Sequence, residues 1–312
     1  IILFKMKVIS YFLTISCLLF CSNARSQSLN FEASAEGILV KEGTKKVLFF
    51  QKEIKSLNGK YPRANYIHPL YDLEGHILTE DFPEDHLHHR GIFWTWHQIL
   101  VDGMSIGDGW ECKDISWDVT DVRATIENDE SLSLYTNVFW NTSAYKEGDS
   151  NFPFLHEKTE IKIYPSEENY RIIDFEISLL ALVNHLKIGG SDDIKGYGGF
   201  SVRLKLPEDI SFSSEEINIP PTNEALIAKR WMEINGSFNE NKKSGVIIIA
   251  SKENPTPNNK WILRSKKSMQ NAVYPGNIPV KISNENPTIL KYRMILYKNK
   301  ISSSLLNHFY QF

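Results

Sequence analysis

LSLYTNVFW (residues 132–140) and KTEIKIYP (residues 158–165) carry the clearest secondary-structure signal in this chain. Apolar and polar residues alternate in both, which is typical of antiparallel strands with one buried face. Short runs rich in β-branched and aromatic residues recur at 47–50, 171–180, 200–206, 245–250 and 290–297. No amphipathic helical pattern of a dozen residues accompanies them. The sequence therefore predicts an all-β fold, a large antiparallel two-sheet sandwich.

The N-terminal segment has the pattern of a secretory signal peptide. Met6 is the expected translation start, Lys7 provides a positive charge, residues 8–20 are apolar, and the ARS triplet at 24–26 fits a cleavage site. We therefore expect a signal peptide over residues 1–26.

Residues 27–312 are then expected to form a single exported β-sandwich domain. The periplasm is the favoured location. A secreted form, or a lipid anchor on Cys21, is less favoured, because Phe20 stands where a lipoprotein signal needs a small residue. Cys112 is the one cysteine beyond the signal, so the domain has no intramolecular disulfide.

The net charge and the hydropathy of the chain limit which classes of partner it can bind. The formal net charge is −3, and the predicted signal holds three basic residues and no acid, so the remaining chain is more negative still. This argues against nucleic acid and anionic membranes as partners, although a local arginine cluster would still bind an anionic sugar. Beyond the signal, no segment is apolar enough to span a bilayer, so no membrane span is predicted.

Histidines concentrate in the stretch DFPEDHLHHRGIFWTWH (residues 81–97), which holds four of the nine in the chain. Histidine titrates near neutral pH, ligates metals and transfers protons. In an extended strand His86 and His88 would share one face, and His89 would lie on the other beside Asp85. A divalent metal on His86, His88 and Asp85 is one interpretation. Metal-free acid–base chemistry and a solvated loop are the alternatives.

The preceding stretch RANYIHPLY (residues 63–71) adds further polar groups between apolar ones. Tyr66 and His68 would share a face of an extended segment, and such a pair suits an elimination in which one group removes a proton and the other protonates the leaving oxygen. The alternative is that both rings lie at the edge of the core.

Aromatic and glycine-rich segments complete the candidate site. Trp94 and Trp96 would stack on sugar rings, or else pack in the core, and His97 follows them directly. The stretch GGSDDIKGYGGFSVRL (residues 189–204) lacks the spacing of a nucleotide-binding loop, but its glycines allow close ligand approach, and Tyr197 and Arg203 could reach the site.

Four stretches together resemble the PmoA-like family of exported bacterial proteins, which carries a methane oxygenase label. They are YIHPLYDLEGHILTEDFPEDHLHHRGIFWTWHQ, EKTEIKIYP, GYGGFSVRL and ASKENPTPNNKWILR. The resemblance covers most of residues 27–312. It implies a fold like the galactose-mutarotase-type supersandwich and a role in polysaccharide degradation.

In function, the chain looks most like an oligosaccharide dehydratase acting on ulvan fragments. Such an enzyme removes water from the non-reducing-end uronic acid and leaves a 4,5-unsaturated uronyl residue. The implied roles are His88 or His86 as base, Tyr66 or His68 as acid, and Arg90 or Arg63, or a divalent ion, on the substrate carboxylate. His89, His97 and the residues of the aromatic and glycine-rich segments would complete the catalytic and substrate-binding set around an anionic oligosaccharide.

Three other functions remain open from the sequence. A glycoside hydrolase would need two carboxylates across the scissile bond, for which Asp81, Glu84 and Asp85 are candidates. A sugar-binding module would use the tryptophans but has no need of clustered histidines. A copper or iron oxygenase would need a redox metal. We rank them in that order, after the lyase.

Overall fold

The computed structural model describes residues 28–147, 150–228, 230–239, 242–256 and 259–312. The predicted signal peptide, residues 1–26, lies outside this range. Strands are the main regular structure of the described residues, together with one short helix. In chain order the elements are β1 (Leu29–Ala33), β2 (Gly37–Glu42), β3 (Lys45–Gln51), β4 (Lys55–Leu57), β5 (Lys60–Arg63), β6 (Tyr66–Leu70), β7 (Ile92–Thr95), β8 (Gln98–Val101), β9 (Met104–Gly107), β10 (Ile115–Ile126), β11 (Leu132–Glu147), β12 (Ser150–Ile163), β13 (Tyr170–Ala181), β14 (Leu186–Gly189), β15 (Gly199–Val202), β16 (Ser211–Ser214), β17 (Ile217–Asn218), β18 (Leu226–Ile227), β19 (Met232–Asn239), β20 (Lys242–Ala250), β21 (Lys260–Ile262), β22 (Gln270–Val273), β23 (Val280–Lys281), β24 (Thr288–Lys298) and α1 (Ser303–Phe309).

Two large antiparallel sheets dominate the architecture, each with nine strands in the described part of the chain. Sheet one has the order β1-β2-β3-β6-β7-β15-β22-β21-β18, and sheet two has the order β10-β11-β12-β13-β24-β20-β19-β16-β17. A four-stranded sheet, β23-β14-β8-β9, and the β4-β5 pair make up the other described strands. The predicted all-β two-sheet sandwich is confirmed.

The alternating stretches become long neighbouring strands of sheet two. LSLYTNVFW lies in β11 and KTEIKI lies in β12, and the two pair antiparallel with Tyr135 opposite Glu160. In β13 every second side chain, from Arg171 to Ala181, is buried. One face of sheet two is therefore apolar, as the period of two requires, and packs toward sheet one.

Aromatic rings fill the space between the sheets. Phe200 of sheet one stacks on Tyr292 of sheet two with ring centroids 4.5 Å apart, and it also contacts Phe175 edge-on at 5.0 Å. A continuous apolar cluster extends from Leu29 to Leu296. Burial of this area supplies the main stabilising free energy.

A buried carboxylate also joins the two sheets. Glu157 of β12 is fully buried and accepts hydrogen bonds from the Asn65 amide at 2.9 Å, the Trp140 indole at 2.8 Å and the Thr159 hydroxyl at 2.7 Å. Burial raises its pKa. Asn65 directly precedes β6 of sheet one, so this network crosses the core and fixes the position of β6.

Helix α1 packs against sheet two. The Ser302 hydroxyl accepts a hydrogen bond from Leu305 N, and Leu306 and Phe309 are buried. In the part of the chain that the structure describes, no helix has both the length and the apolar character that a bilayer crossing requires.

Candidate active site

The histidine block forms a loop between β6 and β7, adjacent strands of sheet one. Asp81 and Arg90 close the base of the loop through an antiparallel bridge and an ion pair with Nη1···Oδ1 2.9 Å. Inside it the backbone turns twice, with His86 N donating to Pro83 O at 3.0 Å and His89 N donating to His86 O at 2.9 Å. The expectation that His86 and His88 share a strand face is therefore wrong. These local backbone hydrogen bonds curl the segment into turns.

The turns bring three imidazoles together. The rings of His86 and His89 stack in parallel with centroids 4.6 Å apart. His88 stands edge-on to both, at 5.8 Å from His86 and 4.6 Å from His89. Trp110 contacts His89 edge-on at 6.0 Å. The sequence predicted that the histidines act together, and the structure groups them in a different arrangement.

These histidines line a cavity of about 300 Å³. Its polar lining residues are His86, His88, His89, Glu111, Lys195, Tyr197, Arg264 and Ser268. The apolar part of the lining is Trp110, Ile262 and Met269. The charged side chains of the lining are Lys195, which also pairs with Asp193 at 3.4 Å, Arg264 and Glu111. The positive charge of Arg264 and Lys195 suits an anionic ligand.

Burial keeps two of the imidazoles neutral at physiological pH. Burial, reinforced by the neighbouring His86, lowers the pKa of His88 to about 4. Burial and the adjacent His88 lower the pKa of His89 to about 2. A neutral imidazole accepts a proton or a hydrogen bond at one ring nitrogen and donates a hydrogen bond from the other.

The loop between β14 and β15 brings a phenol and an ammonium group to the cavity. The Asp193 carboxylate accepts hydrogen bonds from Lys195 N at 2.9 Å and Gly196 N at 3.2 Å, and the Ser191 hydroxyl accepts one from Tyr197 N at 3.2 Å. Burial, then the nearby Asp193, raises the pKa of Tyr197. Tyr197 therefore keeps its proton at neutral pH and can donate it.

Arg63 and Arg90 are not at the cavity, which corrects the prediction that they bind a substrate carboxylate. Arg63 is buried between the rings of Phe93 and Trp117 and donates to Gly109 O at 2.6 Å. Arg90 is fully buried, and besides its ion pair with Asp81 it donates to two backbone carbonyls. Protein acceptors and aromatic faces thus engage both guanidinium groups.

The predicted tryptophan platform is also corrected. Trp94 is buried and stacks on Phe200, and Trp96 is buried with its indole N–H on Tyr274 O at 2.8 Å. Both belong to the core, because each ring faces the other sheet. His97 lies behind the cavity wall, where its ring stacks on Trp110 and its Nδ1 is 2.9 Å from the Asp108 carboxylate.

Tyr66 and His68 do not line the cavity either, so neither is placed to act as the acid. Tyr66 is buried with its hydroxyl 3.3 Å from Asp81, and burial raises its pKa. His68 is half-buried with Nδ1 3.0 Å from the Thr79 hydroxyl. Tyr197 is the predicted phenol that does reach the cavity, and Arg203 lies directly behind the histidines.

The proposed metal ligands are not gathered into a ligand set. Both carboxylate oxygens of Asp85 are occupied by Arg203, at 2.8 and 3.1 Å, and one also meets His86 Nδ1 at 2.7 Å. Among the described residues, no group of three or more histidine, cysteine or acidic side chains is arranged to hold a metal ion.

The sequence reasoning missed three charged residues of the cavity, Glu111, Lys195 and Arg264. Two of them stood in stretches that were already conspicuous. Lys195 is two residues before Tyr197 in the glycine-rich segment, and Arg264 ends ASKENPTPNNKWILR. The sequence therefore contained the signal for these two cations, but it could not show that they lie next to the histidines.

All of the residues that line the cavity lie in the part of the chain that matches a known protein family. A model for a family of unknown function, DUF6807, matches residues 38–311. The chain belongs to this family. No curated protein matches the chain in sequence. The function is therefore argued from the geometry of the site.

Proposed function

We propose that this protein is a carbohydrate-active lyase. In this proposal it is a dehydratase that removes water from the non-reducing-end uronic acid of ulvan-type oligosaccharides. The product carries a 4,5-unsaturated uronyl residue. The motifs that resemble the PmoA-like family are consistent with this role.

The reaction needs three groups around one sugar. A base takes the proton from C5, and the electrons of the C5–H bond form the C4=C5 double bond. The C4–O bond breaks, and an acid protonates the departing oxygen, so that it leaves as water. Negative charge builds transiently on the carboxylate next to C5 and requires positive charge or hydrogen-bond donors nearby.

The cavity lining supplies each of these groups. Neutral His88 is the base, with His86 as the alternative, and Tyr197 is the acid. Lys195 and Arg264 attract the carboxylate. Arg264 donates to the Thr222 and Asn223 carbonyls, which hold its guanidinium without neutralising its charge. These roles replace those expected of Arg63, Arg90, Tyr66 and His68.

The observation that carries the proposal is one cavity lined by neutral imidazoles, a protonated phenol and two cations. A glycoside hydrolase needs two carboxylates across the scissile bond. Of the described residues that line this cavity, Glu111 alone is a carboxylate. A binding module has no need of imidazoles with strongly lowered pKa values. The lining therefore favours elimination over both alternatives.

Incubation of the purified protein with ulvan oligosaccharides tests the proposal. We expect ultraviolet absorbance of the new conjugated double bond to rise while mass spectrometry shows loss of one water and an unchanged chain length. Chain cleavage without the absorbance change would instead indicate a hydrolase. Binding without any mass change would indicate a sugar-binding module.

A further inference from the structure

Behind the cavity, Arg203 connects two of the three histidines. Its backbone is fixed at the end of β15, where Arg203 N donates to Gly91 O at 2.7 Å. Its buried guanidinium donates to the Glu80 carboxylate through Nε at 2.7 Å, to both Asp85 oxygens, and through Nη1 to His89 Nδ1 at 3.3 Å. Asp85 in turn contacts His86 Nδ1 at 2.7 Å.

This network determines which nitrogen of each ring carries the proton. A guanidinium has no acceptor atom, so His89 Nδ1 must accept the hydrogen bond from Arg203. The proton of neutral His89 then lies on Nε2. At His86 the order is reversed, because the Asp85 carboxylate can only accept, so His86 Nδ1 carries a proton. Asp85 and Arg203 therefore fix protons on opposite nitrogens of the two stacked rings, Nδ1 of His86 and Nε2 of His89.

We infer that Arg203 is a positioning residue that locks His89 as a neutral Nε2–H hydrogen-bond donor to an oxygen of the bound uronate. This inference rests on the proposed elimination. His89 lines the cavity, and in this inference its Nε2–H donates to a carboxylate or hydroxyl oxygen of the sugar. A donor held in place by a buried network stabilises negative charge that develops on the carboxylate, without having to reorient during the reaction.

The surroundings of His89 favour its neutral state. Burial, then the neighbouring His88, His86 and Arg203, lower its pKa, and the Asp85 carboxylate opposes them only in part. A neutral donor does not transfer its proton to the substrate carboxylate, so it stays a donor throughout the cycle. His88, which burial keeps neutral, is then left as the acceptor of the C5 proton, with His86 as the alternative.

Nitrogen NMR on full-length protein labelled with ¹⁵N-histidine tests the tautomers directly. At neutral pH we expect the His89 signals to show protonated Nε2 and unprotonated Nδ1, and the His86 signals to show a proton on Nδ1. His89→Gln and His86→Gln assign the signals by their disappearance. An imidazolium at His89, or a proton on its Nδ1, would overturn the inference. This readout does not depend on turnover, so it can succeed even if no water is eliminated.

Kinetics test the role of the donor. His89→Met removes the N–H, and we expect kcat to fall roughly 100-fold with little change in KM. His89→Gln keeps a side-chain N–H donor, so it should recover a large part of the lost kcat. Equal kcat values for the Met and Gln variants, both folded by circular dichroism, would contradict a donor role. Arg203→Lys should shift the His89 tautomer populations, but the wild-type spectrum is decisive if that variant does not fold.

Discussion

Neighbouring histidines in this site have different partners, and the partner determines the chemistry open to each ring. His89 accepts from Arg203, and His86 donates to Asp85. The Asp85 carboxylate would have its pKa raised by burial, but the hydrogen bonds from Arg203 and His86 lower it to about 2. Asp85 therefore remains charged at neutral pH. His88 Nδ1 lies 3.3 Å from the Glu111 carboxylate.

The acid limb of the pH–rate profile should report His88. A base works in its unprotonated form, so the rate falls as pH drops through the pKa of the folded protein. Because burial lowers the pKa of His88 from 6.5 to about 4, we expect kcat/KM to hold down to about pH 5 and to decline near pH 4. A decline centred near pH 6.5 would assign the base to another group. His308→Gln, at an exposed histidine of α1, should leave the profile unchanged.

Removing the hydroxyl group of Tyr197 should affect the chemical step more than substrate binding. Tyr197→Phe keeps the ring that packs on Trp110 and His97 but has no proton to donate. We expect kcat to fall roughly 100-fold or more, with KM within a few-fold. Initial rates of double-bond formation measure this effect. Tyr170→Phe, on the distant α1 side of sheet two, is the matched control, and equal losses in both variants would remove Tyr197 as the acid.

Loops, rather than strands, carry the polar side chains that line the cavity, while the strands of sheet one hold those loops in place. The histidine loop is closed at its base by the Asp81–Arg90 pair. The loop before β15 is closed by its own hydrogen bonds to Ser191 and Asp193. A loop stabilised in this way presents its side chains with little freedom, which suits a preorganised site.

Gly196 should be essential to the geometry of the loop before β15. It has φ +59°, and a Cβ there would lie 2.5 Å from Asn277 N. Gly196→Ala should therefore displace Lys195 and Tyr197 and lower kcat/KM at least tenfold, by the steric and backbone cost of roughly 1–3 kcal/mol. Gly75→Ala is the matched control, since Gly75 has φ +96° with open space around it. Similar kinetics for the two variants would contradict this role for the loop.

At the scale of the whole molecule, the two sheets meet through an apolar core and through Glu157. The buried carboxylate accepts from three donors, which come from β11, from β12 and from the residue before β6. Because β6 leads into the histidine loop, this contact couples sheet two to the site.

Truncation of Glu157 should destabilise the domain. Glu157→Ala leaves the buried donors of Asn65, Trp140 and Thr159 unpaired, so we expect the free energy of unfolding to fall by about 3 kcal/mol. Urea denaturation measures the change. Glu168→Ala removes an exposed acid and should alter the free energy by less than about 0.5 kcal/mol. Equal midpoints for the two variants would show that the inter-sheet network contributes no stability.

By itself, the sequence was enough to predict the strand pattern and the all-β class, and it singled out His86, His88, His89 and Tyr197, which the structure places around one cavity. These properties are local, because the alternation of apolar side chains and the clustering of imidazoles depend only on residues that are close together in the sequence. Only the tertiary structure decided whether Arg63, Arg90, Trp94 and Trp96 lie in the core or at a ligand site. An arginine or tryptophan is equally compatible with a ligand site and with the core, and its burial depends on what the fold places around it. Arg63 takes its acceptor from Gly109, and Trp96 takes its acceptor from Tyr274. The same long-range packing brought Lys195 and Arg264 to the histidines, and it placed Arg203 behind His89, where a single hydrogen bond determines the tautomer.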